Sequence, residues 1–277
     1  MVDLKHIRIE NHGHVMICFL SNPPSHTLTG KAVLEINNLL DDLKEKRDLR
    51  VLAFTGEGSN VFIKHYEVGE LSETANSNIK KKKEELGAPK ELHGFHKMLL
   101  KIRDLEAIVV AGINGNTAGG GCEFSLGCDL RVMSEGEYFI GLPETSVGIL
   151  PGGGGTQRLA RMIGSSRAMD LILHARLMTN TEAFEYGLVN KLLPQKTFRE
   201  DLKDYCEDLA SRAPIALREA KKAIHKGLEV SLEEGLRIEQ DAFNATMNSN
   251  DAARAMRDLL NNKEDINESP QTKWEGN

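Results

Sequence analysis

Val110-Ala-Gly-Ile-Asn-Gly-Asn-Thr-Ala-Gly-Gly-Gly-Cys-Glu-Phe-Ser-Leu-Gly-Cys-Asp129 runs from apolar residues into glycines and then into a short apolar segment that carries one carboxylate. Ala107–Ile113 reads as a buried strand and Cys122–Leu126 as the opening of a helix, so Gly119 to Gly121 fall at a strand-to-helix junction. Glycines there let other atoms approach the backbone and leave amide N–H groups unpaired at a helix N-terminus. Such a place binds a negatively charged oxygen. Three glycines in a row also serve where a strand simply packs closely on a helix, and the stretch alone does not separate the two readings.

Working outward, the chain has 25 glycines, and thirteen of them lie between Gly112 and Gly155. The second half of that cluster is Gly141-Leu-Pro-Glu-Thr-Ser-Val-Gly-Ile-Leu-Pro-Gly-Gly-Gly-Gly155-Thr-Gln-Arg158. Here Glu144 follows a proline in a short turn, and four glycines precede another helix. Taken singly, Glu144 is a loop carboxylate and Glu123 a first-turn residue favoured by the helix dipole. Taken together, they form a base and acid pair if the two loops converge and their environments split their pKa values.

Upstream, Leu4–Glu10 and His14–Leu20 flank Asn11-His12-Gly13 as two strands and a turn. Thr29 to about Lys46 has the helical spacing Val33, Ile36, Leu39, Leu40, Leu43, and Arg50–Thr55 follows as a buried strand. From about Ser72 to Lys90 the chain turns polar, carries Lys80–Lys83 and ends in Gly87-Ala88-Pro89, which predicts a solvated helix or a mobile loop. A helix over Leu92 to Asp104 then leads into the decisive stretch. Beyond it come a strand at Leu130–Ser134, a helix at Thr156–Ile163, and an almost wholly helical C-terminal third. Strands alternate with helices first and helices follow alone, so the fold class is α/β with a helical appendage. The boundaries expected are a core over residues 1–195, a helical region over 196–262 and a polar, frayed tail over 263–277.

Composition removes several functions. The net charge of −6 argues against a general nucleic-acid binder or an anionic-membrane binder, and Lys80–Lys83, offset by Glu84 and Glu85, reads as a solvated face. A non-catalytic RNA-binding module built on those lysines is the remote alternative. No apolar run approaches the roughly 20 residues of a membrane span. The N-terminal residues lack a signal core, and Cys18, Cys122, Cys128 and Cys206 lack metal or CxxC spacing, which predicts reduced thiols in the cytoplasm. His93 and His96 are three apart on a helix without an evident third ligand, so no metal site is expected. Phosphate-loop, GxGxxG, HExxH and GxSxG patterns are absent from the sequence.

The decisive stretch resembles the signature of the crotonase family, the enoyl-CoA hydratase/isomerase superfamily, with Phe124 where leucine is usual. Gly141-Leu-Pro-Glu144, Leu150-Pro-Gly-Gly-Gly-Gly-Thr-Gln-Arg-Leu159, Glu182-Ala-Phe-Glu-Tyr-Gly-Leu-Val-Asn190 and Asn22-Pro-Pro are similar in the same order, so that the likeness covers roughly residues 4 to 260. The resemblance implies a spiral core of ββα units with C-terminal helices that mediate a homotrimer or a dimer of trimers. It implies an acyl-CoA thioester substrate, with coenzyme A part of the substrate and no separate cofactor. Carried over by position, the oxyanion-hole N–H groups are those of Tyr66 and Gly120, and the catalytic carboxylates are Glu123 and Glu144. The activity implied is hydration of a trans-2-enoyl-CoA, with an isomerase, hydrolase or decarboxylase of the same family as the alternative.

Three positions depart from the family pattern. Phe62-Ile-Lys-His-Tyr-Glu-Val68 has His65 where glycine is usual, which predicts an uncommon backbone conformation at that histidine. Lys64 and His65 are candidate contacts for the phosphates of CoA. Phe139-Ile140-Gly141 is one residue longer than the usual approach to the second glutamate, which predicts either a bulge or a re-aimed Glu144. His26 stands where asparagine is common, and the usual C-terminal motif is only faintly echoed by Arg254 to Lys263.

Overall fold

A computed structural model describes residues 5–81, 91–262 and 273–277. β1 (Ile7–His12) and β2 (Val15–Leu20) form an antiparallel hairpin. Its turn is at Gly13 and His14, later than Asn11-His12-Gly13 suggests, because pairing continues to His12 opposite Val15. β3 (Val51–Gly56), β4 (Ile108–Ile113), β6 (Leu130–Ser134) and β9 (Lys191–Leu193) extend the sheet in the order β1-β2-β3-β4-β6-β9, parallel from β2 onward. β5 (Thr117–Ala118), β7 (Phe139–Gly141) and β8 (Leu177–Thr179) form a second, smaller sheet.

Each step between parallel strands of the large sheet passes through the second layer and then through helix. The bridges Leu28–Tyr66 and Val61–Asn116 continue that layer back to the earlier connections. Segments around residues 28, 64, 117, 140 and 178 therefore lie side by side, and successive ββα units wind into a spiral. This is the crotonase-like α/β architecture that the motif order implies.

The helices form where apolar residues recur on one face. α1 (Gly30–Leu43) buries Val33, Ile36, Leu40 and Leu43, and Thr29 caps it by accepting from the Ala32 N–H at 3.1 Å. α2 (Val68–Ile79) buries nothing. α3 (Gly94–Asp104) buries Phe95, Met98, Leu99 and Ile102, whereas every residue of the short α4 (Gly120–Gly127) is buried. α5 (Gly155–Ile163), α6 (Ser165–Leu173) and α7 (Asn180–Glu185) follow, and α8 (Phe198–Ala210) crosses back over the large sheet.

Strand periodicity assigns the two faces of that sheet. Val15, Ile17, Phe19, Val51, Ala53 and Val110 meet Phe198, Leu202, Cys206 and Ala210 of α8, a stripe of every fourth residue. Met16, Cys18, Leu52, Phe54, Val109 and Ile113 point the other way into the core shared with α1, α3 and α4. Strands covered on both faces explain why they read as continuous apolar runs.

α9 (Pro214–Gly227) and α10 (Leu232–Met247) pack against each other, and α11 (Asn250–Asn262) follows. Lys221 fastens α9 to the foot of the sheet. Its Nζ donates to the carbonyls of Ile102 and Ala107 at 3.0 and 2.9 Å and pairs with Asp129 at 2.8 Å. Asp129 also accepts from the Val109 N–H at 2.7 Å and contacts His225 at 2.8 Å, so this buried carboxylate has partners on three sides.

Several expectations change. Residues 273–277 are not frayed: the buried Asp251 accepts from the N–H groups of Glu275 and Gly276 at 2.9 and 2.7 Å, and the Trp274 indole donates to Ser211 O at 2.7 Å. Polar composition predicts fraying only when the backbone groups lack such partners. His65 does not take an uncommon backbone conformation; among the described residues, the non-glycine positions with positive φ are His26 and Ala175. Bonds from Leu28 N to His65 O and from Ala118 N to Lys64 O hold residues 64 and 65 as extended backbone between neighbours. The approach to Glu144 contains no bulge, since Phe139, Ile140 and Gly141 pair in unbroken register with Thr179, Met178 and Leu177. Lys80 follows α2 in the structure, whereas Lys82, Lys83 and Gly87-Ala88-Pro89 lie outside the described residues.

Candidate active site

The second layer brings the candidate residues together. Thr117 Oγ1 donates to Ile63 O at 2.7 Å, and Ala118 N donates to Lys64 O at 3.0 Å, so the segment ending at Tyr66 is fixed against the one leading to Gly120. Gly119 turns the chain with φ of +51°, which favours glycine, and α4 starts at Gly120, two residues before the Cys122 start expected from sequence. A methyl group on residue 120 would lie 2.8 Å from Tyr66 Cβ and 3.2 Å from Tyr66 N. The two backbones are thus in contact, and only glycine allows it. Neither the Tyr66 nor the Gly120 N–H donates to an acceptor among the described residues.

Tyr66 is braced from its other end. Its hydroxyl donates to Glu70 Oε2 at 2.8 Å, and the same carboxylate accepts from Gly30 N at 3.0 Å. Burial, followed by this carboxylate, pushes the phenol well above its ordinary range. Glu67 caps α2 and accepts from Thr27 Oγ1 at 2.7 Å. Neither acidic anchor was singled out in the sequence.

Glu123 is buried in the first turn of α4. Its Oε1 accepts from Gly153 N at 2.7 Å and from Gly155 N at 2.8 Å. The four glycines before α5 thus present N–H groups at a helix N-terminus, and the anion they hold is this protein's own carboxylate. Sequence reasoning applied that physics to Gly119–Gly121 and not to Gly152–Gly155, where the same signal was available. Burial raises the Glu123 pKa, while the Gly155 and Gly153 N–H groups and the Arg158 charge act in the opposite direction.

Glu144 opens a short 3-10 turn over Glu144–Val147. A methyl on Gly119 would meet its Oε1 at 3.1 Å, so this carboxylate lies over the turn that precedes α4. Its Oε2 is buried without a hydrogen-bond partner. Burial raises the Glu144 pKa to about 7, with the Glu123 charge adding to the rise against the 144 backbone. Both glutamates and the N–H groups of Tyr66 and Gly120 therefore border one place, with one carboxylate accepting two N–H bonds and the other raised by burial to about 7 without a partner on Oε2.

Lys64 is exposed beside this site, and the ring of His65 contacts the Tyr66 carbonyl through Nδ1 at 2.7 Å. Cys122 is buried, and burial pushes its thiol well above its ordinary range. No group of three or more His, Cys, Asp or Glu side chains suited to a metal occurs among the described residues. Among the same residues, no helix is long and apolar enough to cross a membrane.

A spiral of ββα units whose glycine-rich loops bring two glutamates to a pair of unpaired N–H groups defines a protein of the crotonase class. The family model described as enoyl-CoA hydratase/isomerase matches residues 10–267, and the chain belongs to that family. It is 30% identical over 256 residues to a protein of Clostridium acetobutylicum named short-chain-enoyl-CoA hydratase, covering 92% of this chain and 94% of that one. It is 31% identical over 253 residues to a human protein named methylglutaconyl-CoA hydratase, mitochondrial, covering 90% of this chain and 71% of that one. The crystal structure of an enoyl-CoA hydratase from Bacillus anthracis superposes with a TM-score of 0.85 at 30% identity, covering 99% of this chain and all (100%) of the other.

The raised pKa of Glu144 has a consequence for stability. The folded carboxyl keeps its proton up to about pH 7, whereas its ordinary value is 4.5, so between these values the folded state binds the extra proton. Rising pH through that window removes stability. Glu144→Gln is accordingly expected to raise Tm relative to the parent protein at pH 8, with the difference shrinking toward pH 4.5. Equal Tm differences at both pH values, in scanning calorimetry, would show that Glu144 ionises normally.

Proposed function

We propose that the protein is an enoyl-CoA hydratase that adds water reversibly across the double bond of a trans-2-enoyl-CoA thioester. The observation that carries this reading is the pairing of two unlike carboxylates, Glu123 and Glu144, beside the two unengaged N–H groups of Tyr66 and Gly120. Addition of water at Cβ drives charge onto the thioester oxygen, and preorganised N–H donors stabilise that enolate. Gly120 N contributes with the dipole of α4 behind it, and Tyr66 N from the adjoining segment.

Water addition moves two protons. The oxygen of water bonds to Cβ while one of its protons passes to a base, and a second proton from an acid bonds to Cα. Glu123, which accepts two N–H bonds and has Arg158 close by, is the group built to stay ionised and takes the proton from water. Glu144 lacks such donors on Oε2 and holds its proton up to about pH 7, so it supplies Cα. Exchange with solvent restores the starting protonation. Coenzyme A arrives as part of the substrate, and the scheme uses no other cofactor. Isomerisation, hydrolysis and decarboxylation do not call for this simultaneous base at water and acid at carbon.

The exposed Lys64, with His65 next to it, supplies positive charge for the CoA phosphates in this reading. We further propose assembly into a homotrimer or a dimer of trimers. Support comes from α9, α10 and their connection, where Leu228, Leu232, Ile224 and Leu236 are 82%, 80%, 62% and 53% exposed. Apolar surface of this extent marks an interaction face.

Crotonyl-CoA incubated with the protein should lose its conjugated enoyl absorbance, and kcat should fall as pH rises through about 7. Glu123→Gln and Glu144→Gln should each lower kcat by about 10²- to 10⁴-fold. No hydration by the parent protein, or full activity in both variants, would overturn the reading. In the same assay Lys64→Ala should raise KM and weaken its dependence on salt; an unchanged KM and salt response would remove Lys64 from the CoA site. Sedimentation should give the mass of three or six chains, and a monomer at micromolar concentration would overturn the assembly.

A further inference from the structure

Glu123 depends on the N–H groups of Gly153 and Gly155, and a run of four glycines has little stiffness of its own. The first turn of α3 supplies what the loop lacks. His93 caps α3, its Nδ1 accepting from His96 N at 3.4 Å, and its Nε2 lies 3.2 Å from the Gly152 carbonyl. A carbonyl can only accept, so Nε2 donates to Gly152 while Nδ1 faces the helix N–H, and the ring joins the helix end to the loop. The His96 ring stacks on that of His93 with centroids 4.0 Å apart, and its Cε1 would lie 3.9 Å from a methyl on Gly154. Arg158 Nη1 lies 3.5 Å from the Gly153 carbonyl. Between the two histidines, the ring of Phe95 would meet a methyl on Gly153 at 2.7 Å.

We propose that His93 and His96 are positioning residues for the reaction at Glu123: His93 holds the Gly152 carbonyl and His96, stacked on it, fixes the His93 ring, so that the N–H groups of Gly153 and Gly155 stay aimed at its carboxylate. This rests on the hydratase reading only for what Glu123 does; the grip itself is geometric. The two rings are stacked and turned to the loop, which is not the convergence that a metal ion requires. Burial, then His93 and Arg158, lower the His96 pKa, which keeps that ring neutral against the neighbouring guanidinium. The residues act through backbone on a carboxylate 30 and 27 positions away in sequence and need not touch substrate.

The test compares His93→Ala/His96→Ala with His93→Asn/His96→Gln in the full-length protein. The alanine pair should lower kcat for crotonyl-CoA hydration by about 10- to 100-fold with KM nearly unchanged, because a displaced base slows chemistry without weakening thioester binding. The amide pair keeps a donor at each position, and asparagine is a favoured helix cap, so it should recover most of that loss. Independently of activity, hydrogen exchange at the Gly153 and Gly155 amides should quicken by about tenfold or more in the alanine pair while β3 amides stay unchanged. Each single alanine variant gives the same comparison if the double variant folds poorly. Unchanged exchange at both glycines, or a KM effect without a kcat effect, overturns the proposal. If the parent protein hydrates nothing, the assignment of the reaction fails and the exchange measurement still decides the clamp.

Discussion

The backbone at residue 120 passes so close to Tyr66 that a methyl group there would lie 2.8 Å from the tyrosine Cβ. Nothing local enforces this approach, since 54 positions of chain separate the two residues. The lateral hydrogen bonds of the second layer do so. Tyr66 ends a segment pinned to residues 26–28 on one side and 116–118 on the other, by bonds that include Lys64 N to His26 O at 2.8 Å and Ala118 N to Lys64 O at 3.0 Å. Each bond adds only about 0.5–1.5 kcal/mol. Together they leave the chain after residue 118 one direct path into α4, with Gly119 N bonded to Gly141 O at 2.9 Å and Glu144 lying just beyond that strand. The place of both N–H groups and of the second carboxylate thus derives from strand pairing.

Two helix N-termini are then used in opposite ways. The entrance to α4 keeps the Gly120 N–H unengaged, whereas the entrance to α5 is occupied by Glu123. Burial raises both carboxylates; two glycine N–H donors and a cation offset it at Glu123, whereas at Glu144 its own backbone does. Similar side chains from neighbouring loops thereby acquire different hydrogen-bond surroundings. The Glu123 charge also adds to the Glu144 rise, so the groups are coupled and a change at one alters the other.

Much of this was legible in the sequence because it rests on local composition. The strand at Leu130–Ser134 has the boundaries expected from its apolar run, and the helix expected after the glycines opens at Gly120. Convergence was not legible, because it depends on pairing between segments far apart in the chain. His65 illustrates this: family pattern suggested an uncommon backbone, but its neighbours on both sides keep it extended. His93 and His96 read only as a pair three apart on a helix, and the contact of His93 runs to a loop 59 positions away at Gly152. The polar end of the chain is held by Asp251, 24 and 25 positions from the N–H groups it accepts.

The two N–H groups proposed for the oxyanion are held by different means. Gly120 belongs to a helix buried at every residue, within the core that contains Phe124 and Leu126. Tyr66 stands at the border between the second layer and α2, which buries none of its residues. Beyond strand pairing and the edge contact of its ring with Phe95, it is held by polar anchors: Glu67 on Thr27 at 2.7 Å, and Glu70 on both the Tyr66 hydroxyl and Gly30 N at 2.8 and 3.0 Å. Apolar packing resists displacement in every direction, whereas a few hydrogen bonds near solvent open at lower free energy. Tyr66 N is thus joined directly to the exposed α2, whereas Gly120 N is enclosed by the core. The geometry between the donors is set from the exposed side of the site, and the buried side acts as the fixed reference.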